Sequence, residues 1–182
     1  MKLTKFFLLI GVFFFFADAN GQNQSLRVDI DKNGQMDVFK YDDSKIFIQL
    51  NGKKFVRRID DFGNFLISQF MVKNGVFSFS VDCEGHCSGQ YSYTYHWKVI
   101  RNKLQLISYE ARYRSISCQS PCLVHNSFDL LSKDYIIKHV EESGDKEKIK
   151  KGKFEIKPLF FDSCQHDDYF PIFENSDKWK HN

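Results

Sequence analysis

The chain has 182 residues, with 26 Lys plus Arg against 23 Asp plus Glu, a formal charge of +3, and it is 27% charged and 42% hydrophobic. This fits one globular domain and excludes a chain that is mostly disordered. So weak a net charge argues against a nucleic-acid partner, which needs a dense basic stripe.

Aromatic residues reach 16%, with 20 Phe, 8 Tyr and only 3 Pro. Flat rings pack well on a pleated surface, so this balance favours β-structure. The chain opens with Lys2 and Lys5, then an apolar run from Phe6 to Phe16, then Ala17-Asp18-Ala19. Small residues at −3 and −1 predict a secretory signal peptide over residues 1–19, cleaved after Ala19. The apolar run reaches only about 16 Å as a helix, against roughly 30 Å of bilayer hydrocarbon. Residues 20–182 are expected to form a single β-rich domain, periplasmic or secreted, without a membrane span.

Residues 26–41 read as a short strand, an acidic loop and a departing strand. Asp29, Asp31, Asn33, Gly34, Gln35 and Asp37 match a D-x-[DN]-x-[DN]-G-x-x-D calcium loop. Asp29, Asp31 and Asn33 are expected to give side-chain oxygens, Gln35 its carbonyl, and Asp37 a direct or water-mediated bond. Position 12 is Lys40, not a bidentate Glu, and the flanks are strand-like, so an isolated loop with a structural calcium is expected, not an EF-hand. The alternative is an acidic turn held by local hydrogen bonds.

Next come a strand Ile46–Leu50, an Asn51-Gly52 hairpin turn and a returning strand Lys53–Ile59. Phe65–Val72 is β-prone, and Asn74-Gly75 is a second hairpin signal before Val76, Phe77, Phe79 and Val81. From Tyr91 to Ile100 aromatic and polar positions alternate, placing Tyr91, Tyr93, Tyr95, Trp97 and Val99 on one face. A turn at Arg101-Asn102-Lys103 leads to a strand Leu104–Tyr113, and Tyr135–Val140 is another. The lysine-rich stretch 146–153 reads as a solvated hairpin tip. No apolar stripe of helical period is present. The turn spacing predicts a mainly β, single antiparallel domain, a meander or barrel.

An exported chain meets oxidising conditions, so its five cysteines are read first as disulfides. Cys83 and Cys87 have the same offset as Cys118 and Cys122, and Cys164 is left over. If Arg101 faces Leu104, Cys83 faces Cys122 and Cys87 faces Cys118. That allows a nested pair of bridges; local Cys83–Cys87 and Cys118–Cys122 bridges are the alternative. A zinc site using these four with His86 is the competing reading.

Several stretches occur in the order seen in a known family. They are the acidic loop; Tyr91-Ser92-Tyr93-Thr94-Tyr95-His96-Trp97; Leu106-Ile107-Ser108-Tyr109-Glu110; Leu130-Leu131-Ser132-Lys133; and the basic stretch ending Lys157-Pro158-Leu159. The chain resembles exported bacterial proteins related to periplasmic inhibitors of invertebrate-type lysozyme, and immunity proteins against lysozyme-like effectors. The resemblance implies a propeller-like or barrel-like domain that is not an enzyme. It implies a lysozyme-like peptidoglycan hydrolase as protein partner, blocked by a rigid loop. The family's loop carries S-G-x-x-Y, whereas here Ser88-Gly89-Gln90 leads directly to Tyr91. Read as such a loop, His86, Ser88 and Gly89 hydrogen-bond cleft carboxyls, and Tyr91 or Tyr93 stacks where a sugar ring sits. The alternative function is an exported glycan or envelope-component binding module that uses the aromatic strand.

Overall fold

Two-residue turns set the strand order. Asn51-Gly52, Asn74-Gly75 and Arg101-Asn102 all have positive φ at both positions, between 50° and 75°. That is the type I′ conformation, whose twist matches that of a hairpin's flanking strands. Both Asn-Gly turns fall where the sequence predicts them. At the third turn Ile100 faces Lys103, not Arg101 Leu104, so the loop is two residues long.

In a computed structural model of the protein, the described residues are 24–42, 45–58, 66–83, 91–115, 122–141 and 146–164. The predicted signal peptide lies outside them. Eleven strands follow in order: β1 (Ser25–Val28), β2 (Asp37–Tyr41), β3 (Lys45–Leu50), β4 (Lys53–Arg58), β5 (Leu66–Lys73), β6 (Val76–Cys83), β7 (Tyr91–Ile100), β8 (Lys103–Ser115), β9 (Cys122–Asp129), β10 (Asp134–Glu141) and β11 (Glu147–Lys153). No helix occurs among the described residues, so none there is long and apolar enough to cross a membrane.

All neighbouring strands are antiparallel. They form a four-stranded sheet, β1-β2-β3-β4, and a seven-stranded sheet, β11-β10-β9-β8-β7-β6-β5. The fold is therefore mainly β, but the barrel is corrected to two open sheets. Among the described residues each sheet is a meander whose outer strands have one neighbour, and β4 does not pair with β5. The two sheets pack through Phe39 on Phe77, with ring centroids 4.6 Å apart, and Tyr41 on Phe70, 4.9 Å apart.

Strand alternation decides which side chains enter this core. On β3, Ile46, Ile48 and Leu50 are buried while Lys45 and Gln49 are exposed. On β7, Tyr95 and Trp97 are buried, as the sequence pattern predicts. The segment after β11 returns along the start of β8: Leu106 N–H donates to Leu159 O and Phe161 N–H to Leu104 O. Arg57 on β4 donates to the carbonyls of Phe161 and Cys164, which ties this strap to the small sheet.

Two strands depart from expectation. β9 is absent from the sequence reading because Asn126 occupies an inward position, with only 1% of its surface exposed. Stretch 146–153 is mostly strand β11, not a tip, paired with β10 from Asp134↔Lys153 to Val140↔Glu147. Its lysines suit an edge strand, where charge opposes pairing with another chain.

Candidate functional site

The acidic loop joins β1 to β2 and folds back on itself. Asp29 Oδ1 accepts Asn33 N–H at 2.9 Å and Asp29 Oδ2 accepts Gly34 N–H at 2.8 Å. Asn33 Oδ1 accepts Gln35 N–H at 2.7 Å, an Asx turn. Gly34 has φ 87°, which a residue with a Cβ rarely adopts. Asp37, 1% exposed, accepts Ile30 N–H at 3.2 Å and Asn51 N–H at 3.1 Å.

These bonds bring carboxylate oxygens of Asp29, Asp31 and Asp37 within 4.8 Å of one another. Backbone N–H groups offset part of their mutual repulsion. Each carboxylate oxygen keeps a second lone pair, so accepting an N–H does not remove it as a donor to a cation. The donor set is all oxygen, which fits a hard divalent cation. Three carboxylates alone select no particular metal, and calcium remains a proposal. Asn33 and Gln35 lie in the same loop, but Asn33 Oδ1 faces Gln35 N–H.

Sequence reasoning missed Asn51. Its Nδ2 donates to Asp31 Oδ2 at 2.9 Å, and its Oδ1 accepts from Asn33 Nδ2. The same residue supplies the first positive φ of the β3–β4 turn. A Cβ added at Gly75 would lie 3.3 Å from Ile30 O. The loop thus rests on a turn of each sheet.

Of the expected partner-binding residues, His86, Ser88 and Gly89 lie outside the described residues. Tyr91 and Tyr93 begin β7 and face the core side. Tyr91 stacks on Tyr93 with centroids 6.4 Å apart and planes 20° apart, and on Tyr113 at 5.7 Å and 19°. Tyr93 continues to Tyr109 at 6.1 Å. Tyr91, Tyr93 and Tyr113 are half-buried, whereas Tyr109 and Tyr95 are fully buried. Burial pushes the Tyr95 phenol far up, with Tyr93 the next contributor.

The cysteine register needs correction. Cys83 ends β6 and Cys122 begins β9, with β7 and β8 between them. Three interstrand spacings separate their backbones by about 14 Å, beyond the roughly 7 Å that a disulfide spans. The outer bridge of the nested pairing therefore does not form across this sheet, and one zinc ion cannot join both ends. Cys87 and Cys118, on which both local bridges depend, lie outside the described residues. Cys164, the cysteine left over in the sequence reading, is buried.

A second polar cluster crosses the solvent face of the large sheet. Ser78 Oγ and His96 Nδ1 share a hydrogen bond of 2.7 Å. Glu110 lies 3.7 Å from His96 Nε2 and 3.4 Å from His125 Nε2. Arg112 approaches Glu110 at 3.6 Å. Hydrogen bonding to His96 is the main reason the Glu110 carboxyl falls to about 2; partial burial opposes it and His125 adds to it. Ser78 sits mid-strand, paired with Met71 and His96, so its backbone serves the sheet ladder. The arrangement keeps Glu110 ionised between two imidazoles. Only the register of four strands brings these residues together, so the sequence carries no local signal for them.

No family model, curated protein or solved structure matches the chain.

Proposed function

We propose that this is an exported, calcium-binding β-domain that blocks a cell-wall-degrading, lysozyme-like hydrolase. In this reading the segment entering β7, with His86, Ser88 and Gly89, occupies the hydrolase cleft, and Tyr91 and Tyr93 support it. Calcium on Asp29, Asp31 and Asp37 holds the β1–β2 loop against both sheets and does no chemistry.

The observation that carries the reading is the half-buried tyrosine stack at the start of β7, adjoining segment 84–90. A glycosidase cleft holds two carboxyl groups and a groove for sugar rings. Stacked tyrosines offer flat area with few side-chain rotors to freeze, so little entropy is lost on contact. The aromatic strand, the acidic loop and their order in the chain add the family resemblance.

The test is a titration of muramidase activity on peptidoglycan. A stoichiometric loss of lysis that weakens on Tyr91→Ala supports the reading. Full lysis at a large excess of the protein counts against it.

The same tyrosine stack favours a second reading, a glycan-binding module. In that reading the exposed parts of the half-buried Tyr91, Tyr93 and Tyr113 rings pack against a sugar ring. Binding to peptidoglycan fragments with no hydrolase present distinguishes the two.

A further inference from the structure

Strand alternation gives the small sheet an outward face of unusual composition. Its centre is apolar: Val38 on β2, Phe47 on β3 and Val56 on β4. Register places Phe47 opposite both Lys40 and Val56, and Val38 opposite Gln49, so Val56 lies directly across from Phe47 and Val38 diagonally across on the other side. Val56 is 54% exposed. Together they line a groove of about 280 Å³ that is open to solvent.

The rim is cationic. Arg27, Lys40, Lys45 and Lys54 are exposed on this face, and none forms an ion pair with another described residue. The outward strand positions of β1 to β4 hold no carboxylate. Asp42 lies past the end of β2, where its Oδ1 accepts Lys45 N–H at 2.9 Å. The acidic loop lies beyond Asn51, with Asp29 and Asp37 turned onto N–H groups of their own surroundings. A weak net charge therefore conceals a concentrated positive field here.

We propose that this groove docks an acidic protein segment that carries an apolar side chain between carboxylates. Charge complementarity selects an anionic occupant, since four cations that form no ion pair with another described residue share one face. Shape selects a convex one: a concave floor receives a single ring or branched side chain, whereas a lipid surface is entered by protruding apolar residues. A nucleic-acid strand needs exposed aromatic faces for its bases, and Phe47 lies half-buried in the groove floor. The face lies on the small sheet, away from β7, so it is independent of the hydrolase reading.

The experiment uses the full mature chain and two blocked pentapeptides of equal charge, Glu-Glu-Phe-Glu-Glu and Glu-Glu-Gly-Glu-Glu, at low salt. The Phe peptide is expected to bind about tenfold more tightly, the worth of burying part of a ring. Lys40→Glu with Lys54→Glu should weaken it by at least about tenfold without changing the melting temperature, because both sites are exposed. Val56→Asn should remove the preference for Phe over Gly. Equal affinities, or none for either peptide at millimolar concentration, overturn the proposal. Saturable binding to phosphatidylglycerol vesicles or to oligothymidylate in the absence of peptide binding also overturns it.

Discussion

Asp37 Oδ1 accepts the backbone N–H of Asn51 at 3.1 Å. This one bond ties the acidic β1–β2 loop to the β3–β4 turn, fourteen residues further along the chain. Asp37 is almost wholly buried, and its other oxygen takes Ile30 N–H. The loop is thus shaped by a carboxylate that the chain itself desolvates and satisfies.

Replacing Asp37 by Ala should leave two backbone N–H groups without acceptors and cost about 3 kcal/mol, since bonds to a charged acceptor are stronger than neutral ones. Asn51→Gly keeps the positive φ and loses only the side-chain bonds to Asp31 and Asn33, so about 1 kcal/mol is expected. Urea unfolding of the two variants measures both. Equal losses would show that the amide matters as much as the buried carboxylate.

A bound cation adds stability in proportion to its occupancy of the folded state. Millimolar calcium should raise the melting temperature and EDTA should lower it, and Asp31→Asn should flatten the response. Identical transitions with calcium and with EDTA would leave the loop as a hydrogen-bonded turn.

Acid should destabilise the protein in two stages. The His139 imidazole is lowered from its ordinary 6.5, by burial first and then by Lys148. A base whose folded value is depressed contributes stability that is present above 6.5 and lost as pH falls through the folded value. The Glu110 carboxyl lies at about 2 instead of 4.5, so its contribution is present above 4.5 and lost towards 2. Stability should therefore decline below pH 6.5 and again below 4.5. His96→Ala should raise the Glu110 value towards 4.5, read by NMR titration. An unmoved carboxyl would mean that the imidazole is not its main partner.

Gly152 on β11 lies opposite Tyr135 on β10. A Cβ there would meet the Tyr135 ring at 2.7 Å and its hydroxyl at 2.6 Å. Tyr135 is buried, so its ring has little room to tilt. Gly152→Ala should cost about 1–3 kcal/mol through overpacking. A neutral result in thermal unfolding would mean that the ring moves freely.

Short-range signals made much of this fold legible. The Asn-Gly turns are written in adjacent residues, and Tyr95 and Trp97 follow a plain period of two. The loop motif placed Asp29, Asp31 and Asp37 together because nine neighbouring residues suffice to close it. What the sequence hid depends on register. Asn126 breaks the apolar alternation of β9 because it is polar and inward. Cys83 and Cys122 read as the base of one hairpin, but they lie on the strands flanking that hairpin, β6 and β9. Asn51 joins Asp31 only through tertiary contact, and Ser78, His96, Glu110 and His125 meet only after four strands align.

The most direct measurement adds increasing amounts of the protein to a lysozyme-type muramidase and follows clearance of a peptidoglycan suspension. The account predicts that clearance stops near one equivalent and that Tyr91→Ala shifts this endpoint to higher concentration. Undiminished clearance at saturating protein, with the tyrosine variant indistinguishable from the parent, would contradict it.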